Sequence, residues 1–274
     1  MTMQNRIAVT TNTYHGKSLD EALEGIAAAG FRYVEFAAIS GWSEHLPFDA
    51  DAQTLDGIQR TLNRLDLIAI SISGHTDLMT EEGLQCGLRL LDLGVRLGID
   101  LMIVSVGGHD PLHEDVDKGF PNLLRLVDYA AERDITIGLE QHGNATATGP
   151  QTKAVIERVN RENIGICYDT ANIEFLSESC AVVDLPQVLP LLVSCHLKDH
   201  VGGYMDWDFP ALGEGQVDFK EILSMLERGG YAGPLVVEME FQNTLEDTCR
   251  LPLEDINKAV EDSYTHLVSL GLAP

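Results

Sequence analysis

Short apolar runs of β-like composition recur eight times along this chain, each followed by a stretch with helical periodicity. They fall near residues 6 to 12, 32 to 38, 68 to 74, 101 to 107, 135 to 141, 164 to 169, 193 to 198 and 234 to 240, with no Ser/Gly/Pro-rich linker between them. Strict alternation of strand and helix specifies an α/β fold with a parallel sheet, because parallel neighbours are joined through a crossover that is usually helical. Eight repeats in 274 residues fit one closed (β/α)8 TIM barrel, a single domain over residues 1–274. A doubly wound open sheet is the structural alternative. Against it, no G-x-G-x-x-G follows the first run, and nearly every run ends in polar residues, where barrels place their active sites.

Local signals agree with the helices. Ser18-Leu19-Asp20-Glu21 has capping-box spacing, and Gly30 supplies a stop. Between Thr80 and Gly98, Leu84, Leu88, Leu91 and Val95 recur at helical spacing and are expected to pack on the sheet. Another helix is expected from Val217-Asp218-Phe219 to Gly229-Gly230, and the last from about Leu253 to Leu270.

Strand side chains alternate between two faces. Gly138, Glu140 and His142 share one face, opposed to Ile137 and Leu139; Cys167 and Asp169 oppose Ile164, Ile166 and Tyr168. Ser194, His196 and Lys198 oppose Val193, Cys195 and Leu197, and Val236, Glu238 and Glu240 oppose Leu235, Val237 and Met239. One face is greasy and the other carries ionisable groups. The earlier runs add Asn12 and Tyr14, Glu35, then Ser73 and His75, while the fourth ends at Gly107-Gly108-His109-Asp110 with its facing unsettled.

Glu140, Asp169, His196 and Glu238 would line one arc of the barrel, since their strands are consecutive. Three carboxylates and an imidazole form an oxygen-rich set suited to Mn2+ first, then Mg2+, with Zn2+ or Co2+ admitted by the histidine. Such a cation would polarise the carbonyl of a bound hydroxy-carbonyl compound and stabilise the enediolate left by proton removal. One glutamate would take a proton and the other return one.

Composition narrows the partners. A net charge of -25 repels nucleic acid, anionic lipid and, less decisively, phosphorylated substrates, whereas neutral polyols meet no such barrier. A metal-dependent endonuclease on the same barrel would need a basic face that 18 Lys plus Arg against 43 Asp plus Glu hardly provide. No apolar run approaches a membrane span, and the start of the chain lacks a signal-peptide hydrophobic region, so a cytoplasmic location is expected. Five cysteines without C-x-x-C spacing argue for reduced thiols.

With these residues in place, the chain resembles a known family. The glutamate ending strand five, Asp169-Thr170 after strand six, His196-Leu197-Lys198-Asp199 on strand seven and Glu238-Met239-Glu240 on strand eight are similar to the xylose isomerase-like barrels of the sugar phosphate isomerase/epimerase group. That group includes ketose 3-epimerases, inosose dehydratases and large subunits of C-glycoside deglycosidases. The resemblance covers essentially the whole chain. It implies Glu140, Asp169, His196 and Glu238 as metal ligands, with Glu140 and Glu238 as the proton-transfer pair.

Two departures from the ketose 3-epimerases stand out. Asn172 occupies the place of the histidine they carry three residues after the aspartate, and His196-Leu197-Lys198-Asp199 is closer to the dehydratase version. The expectation is an isomerase or epimerase of an unphosphorylated keto-sugar or keto-polyol. A lyase using the same enediolate, inosose dehydratase-like or C-glycoside deglycosidase-like, is the alternative. Gly202 to Phe209, followed by Leu212-Gly213-Glu214-Gly215, looks like a substrate-covering element whose acidic residues disfavour phosphate.

Each residue also has a purely structural role to set against this. Asp169 alone would serve as a helix cap. Glu240 shares the face of Glu238, and spacing does not say which stands at metal height; family position selects Glu238. His142 and Lys198 either bind substrate oxygens or pair with carboxylates; His75 and His109 are weaker candidates for the same role. Glu35 either contacts substrate or pairs with Arg6 or Arg32. Trp207, like Trp42, Tyr204 and Phe209, either stacks on a sugar or packs a loop or subunit interface. His15, His45, His113, His200 and His266 are read as surface or loop residues. The aromatic loops are compatible with a homo-oligomer, and a C-glycoside deglycosidase would add a smaller partner subunit.

Overall fold

The capping signals become real caps in the computed structural model, which describes residues 5–107, 112, 114–242 and 251–273. In α1 (Leu19–Ala28), Ser18 accepts from the Glu21 N–H while the Glu21 carboxylate accepts from the Ser18 N–H, and Gly30 turns away with φ 103°. Asp51, Thr80 and Asp115 accept the N–H groups of Thr54, Gly83 and Lys118 at the starts of α2 (Ala52–Leu65), α3 (Glu81–Leu97) and α4 (Val116–Ala131), and Thr148 forms a second capping box with Gln151 at α5 (Gly149–Val159). Val95 departs from expectation, at 52% exposed. The buried face of α3 is centred instead on Gly83, Gly87, Leu90, Leu91 and Gly94, whose small residues let the helix approach Asp77, Leu126 and Ile72.

Parallel strands alternate with these helices: β1 (Ile7–Thr10), β2 (Tyr33–Ile39), β3 (Ile68–Ser73), β4 (Leu101–Val104), β5 (Thr136–Glu140), β6 (Ile164–Asp169), β7 (Leu192–Lys198) and β8 (Leu235–Glu238). Each pairs with the next, and β1 pairs with both β2 and β8, so the sheet closes into a (β/α)8 barrel. Ile137, Leu139, Ile166, Tyr168, Cys195, Leu197, Leu235 and Val237 face outward and join helical residues such as Leu23, Leu84, Leu126 and Ile222 in the main core. Each such buried side chain contributes about 1.5–3 kcal/mol of transfer free energy. Two smaller clusters fill the barrel interior, one of Ala8, Ile70 and Val236, the other of Leu101, Ile103 and Cys167 packed by Val193.

Three expectations are corrected. Thr11–Tyr14 forms a 3-10 helix, so the period of two stops after β1 and Tyr14 turns into the core, where its hydroxyl donates to Asn257 (2.9 Å). Val193 joins the inner cluster rather than the face of Cys195 and Leu197, because the register slips between Ile166 and Cys167 and offsets β7 by one residue. The sixth crossover holds no long helix but α6 (Asn172–Leu176), α7 (Ala181–Asp184) and two 3-10 turns; α8 (Phe219–Arg228) and α9 (Leu253–Ser269) complete the shell.

Among the described residues no helix is long and apolar enough to cross a membrane, and Cys86, Cys167, Cys180 and Cys195 are free thiols. Gly165 leaves room for the offset of β7, since a Cβ there would lie 2.4 Å from Val193 Cγ1 and 2.6 Å from the Leu191 carbonyl oxygen. Gly165→Ala is expected to destabilise the fold by about 1–3 kcal/mol through overpacking, read as a lower urea midpoint at unchanged m-value.

Candidate metal centre and pocket

The C-terminal ends of β5 to β8 bring four side chains together. Glu140, Asp169 and Glu238 are the last residues of β5, β6 and β8, and His196 lies opposite Asp169 in the β6–β7 register. All four are buried, and one ligand atom from each lies within 4.8 Å of the others. His196 Nδ1 stands 2.9 Å from Glu140 Oε1 and 3.2 Å from Glu238 Oε2, yet neither ring nitrogen completes a hydrogen bond. Asp169 divides its two oxygens. Oδ1 caps α6 by accepting the N–H groups of Ala171 (2.8 Å) and Asn172 (2.7 Å), while the buried Oδ2 has no hydrogen-bond partner. The helix-cap role thus occupies one oxygen and leaves the other available to a cation.

Charge is unevenly settled. Burial pushes the Glu140 carboxyl up, but His196 and His75 outweigh it and hold it well below the usual range. Burial likewise raises Glu238, and Lys198 and His196 bring it down to about 2. Asp169 is left at about 7, raised by burial and by the neighbouring Glu140 and Glu238 against the pull of Lys198. Burial disfavours imidazolium at His196, but Cys167, Glu35 and Glu140 carry its pKa well above the ordinary value. A proton on His196 thus sits among carboxylates that still leave Asp169 poorly compensated. An orphaned carboxylate oxygen beside two more carboxylates and an imidazole fits a divalent cation.

Neighbouring groups fix this cluster. His75 Nε2 meets Glu140 Oε2 at 2.9 Å, its Nδ1 lies 3.0 Å from Ser105 Oγ, and His142 stacks on its ring at 4.7 Å. Asn12 Nδ2 donates to Glu238 Oε1 (2.9 Å) and Glu240 Oε1 (3.1 Å), and its Oδ1 accepts from Trp42 Nε1 (2.9 Å). Lys198 Nζ pairs with Glu240 Oε2, lies 3.7 Å from Glu238 and 4.0 Å from Asp169, and sits 4.3 Å over the Phe209 ring. Burial would discharge this lysine, but Glu238, Glu240 and Asp169 raise its pKa further. Burial raises the Glu240 carboxyl.

A pocket opens above. Asn12, His75, His142, Asn172 and Lys198 form its polar wall, and Ile39, Phe175, Trp207 and Phe209 its apolar one. Asn172 Nδ2 donates to the Gln141 carbonyl (2.9 Å) and its Oδ1 lies 3.5 Å from Lys198. Glu35 does not line this pocket. It is fully buried behind His196, 3.2 Å from Nε2, and accepts from Ser71 Oγ (2.7 Å); Arg32 pairs with Asp66 instead. His109 lies outside the described residues. His15, His45 and His200, expected at the surface or in loops, are buried: His15 stacks on Trp42, His45 meets the Lys17 carbonyl and His200 that of Asp206.

Other contributions were hidden in the sequence. Asp199 accepts the N–H groups of His200, Gly213, Gly215 and Val217, so the last residue of H-x-K-D anchors the covering loop. Phe175 and Ile39 carried no signal, because their approach depends on the short α6 and the end of β2. The spacings H-x-K and E-x-E did contain the Lys198–Glu240 pair, which only the β7–β8 register makes visible. Lys198→Met would leave the buried Glu240 without its cation; a loss of about 3–5 kcal/mol is expected by urea unfolding, with part of it restored in Lys198→Met/Glu240→Gln.

The family profile described as "Xylose isomerase-like TIM barrel" matches residues 23–265. The chain is 27% identical over 248 residues to the ketose 3-epimerase of Arthrobacter globiformis, covering 84% of this chain and 80% of that one. It is 28% identical over 156 residues to the inosose dehydratase of Glaesserella parasuis, covering 47% and 50%. A crystal structure of D-allulose 3-epimerase from Methylomonas sp. superposes with a TM-score of 0.76 at 22% identity, covering 98% of this chain and 100% of that one, which is a likeness of fold. The closed barrel, the strand-end cluster and the profile match together identify this chain as a member of the xylose isomerase-like TIM barrel family.

Proposed function

We propose that the protein is a divalent-metal-dependent isomerase or epimerase of an unphosphorylated keto-sugar or keto-polyol, with Glu140, Asp169, His196 and Glu238 as ligands. The observation that carries this reading is the approach of Glu140 and Glu238 to the same nitrogen of His196, at 2.9 and 3.2 Å, where both carboxylates border the pocket. When bound, a cation supplies Lewis acidity toward the substrate carbonyl and the enediolate; the hard oxygen set favours Mn2+ or Mg2+ over Co2+ or Zn2+. His75 holds one oxygen of Glu140 and Asn12 one oxygen of Glu238. One carboxylate would remove the proton beside the carbonyl and its counterpart would deliver one.

His142, Asn172 and Lys198 are positioned to bind substrate oxygens, and Trp207 to cover a ring face. Lys198 is the only lysine or arginine lining the pocket among the described residues, and Glu240 already neutralises it, which supports an unphosphorylated substrate. The similarity to a ketose 3-epimerase supports epimerisation. Lys198 beside Asn172 supports a second reading, in which the same enediolate expels a β-hydroxyl held by this pair and the protein is a lyase.

Incubation with ketohexoses and inososes in D2O, followed by proton NMR, separates the two. Deuterium at the carbon next to the carbonyl with mass otherwise conserved is expected for the isomerase or epimerase, and an unsaturated product for the lyase; neither product across the panel would overturn both. Glu140→Gln and Glu238→Gln are each expected to lower the exchange rate by about 10²–10⁴-fold while circular dichroism stays unchanged. EDTA should abolish activity and Mn2+ restore it.

Mn2+ affinity should depend on pH. Without a cation Asp169 takes up its proton below about 7, and His196 holds one above the ordinary imidazole value. A cation must displace these protons, so affinity is expected to rise as pH is raised through about 7, with proton release detectable by titration calorimetry in buffers of different ionisation enthalpy. A pH-independent affinity would contradict this assignment of ligands.

A further inference from the structure

Cys167 lies two residues before Asp169 on the same inward face of β6, about 6 to 7 Å deeper along the strand. It is fully buried in the inner cluster with Leu101 and Ile103, and it is paired in register with Glu140. One ligand atom each of Glu140, Cys167 and His196 lies within 4.8 Å of the others, a second set that shares two members with the oxygen-rich one. The shared imidazole presents Nδ1 to Glu140 and Glu238 and Nε2 to Glu35, and both nitrogens are buried without a hydrogen bond. Glu35 Oε1, 3.2 Å from Nε2, is likewise buried without a hydrogen bond.

We propose that Glu140, Cys167 and His196 form a second cation position beneath the first, one that takes a thiophilic divalent ion of the Zn2+ or Cd2+ class. A sulfur ligand selects soft cations where carboxylates select Mg2+ or Mn2+. Binding exchanges the thiol proton for the metal, the proton leaving to solvent, as coordinated thiols are deprotonated. Because both positions draw on Glu140 and His196, a soft ion in the lower one withdraws two ligands from the upper one. The consequence is competition, with thiophilic ions excluding Mn2+ without using Asp169 or Glu238. This inference rests on the assignment of Glu140 and His196 as ligands made above.

The probe is Cd2+ alone, added to the intact protein and followed by ultraviolet absorption and by X-ray absorption at the cadmium edge. The wild-type protein is expected to show a thiolate-to-cadmium charge-transfer band and a sulfur neighbour. Glu238→Gln should weaken Mn2+ binding and keep the band; Cys167→Ser should lose the band and keep Mn2+ binding. Cadmium bound with only oxygen and nitrogen neighbours, or a band that persists in Cys167→Ser, would overturn the sulfur position and leave the upper centre standing. Failure of the wild-type protein to bind either ion would overturn both. Repeating the edge measurement in a Cys86→Ser/Cys180→Ser/Cys249→Ser background leaves Cys167 unaltered, and a missing sulfur neighbour there overturns the position even where Cys167→Ser does not fold.

Discussion

Five carboxylates, those of Glu35, Glu140, Asp169, Glu238 and Glu240, are buried around one end of the barrel, and the geometry of that end is the geometry of their neutralisation. Charges taken out of water are costly unless paired, and like charges at close range raise that cost. Lys198 answers Glu240 and Glu238, His75 answers Glu140, Ser71 and the His196 ring answer Glu35, and backbone N–H groups answer one oxygen of Asp169. What remains is a deficit at Asp169 Oδ2, between Glu140 and Glu238. That unpartnered oxygen, beside two further carboxylates and an imidazole, is what supports the proposed cation site.

The barrel makes the arrangement affordable in conformational terms. Glu140, Asp169, His196 and Glu238 stand at or near the C-terminal ends of strands whose outward side chains are locked between sheet and helices, so the proposed ligands are held by the main core rather than by one another. The register slip in β7 belongs to the same logic: it admits Val193 into the interior beside Gly165 while keeping His196 level with Asp169. Asp199 then ties the loop carrying Trp207 and Phe209 to the strand that carries His196 and Lys198, joining the apolar wall of the pocket to its polar floor.

Much of this was legible in the chain. Alternation gave the inward residues of β5, β6 and β8, and the capping box at Ser18 gave the start of α1, because both depend on neighbours within a few residues. Local rules failed where the backbone changes period. The 3-10 turn at Thr11–Tyr14 redirected Tyr14, the slip in β7 redirected Val193, and the glycine stripe of α3 rotated Val95 to the surface. Glu35 was visible as an inward carboxylate, but its place behind the His196 ring depends on the meeting of β2, β3 and β7 across the barrel.

The sequence by itself determined the fold class, the family and the identity of the inward ionisable residues, since strand periodicity and motif spacing are properties of a single segment. Only the tertiary structure decided which oxygen of Asp169 caps a helix and which faces the centre, that Lys198 is partnered by Glu240, and that Cys167 lies within reach of Glu140 and His196. Those distinctions turn on interatomic distances of a few ångströms between different strands. Closure of the barrel sets them, and no one segment encodes them.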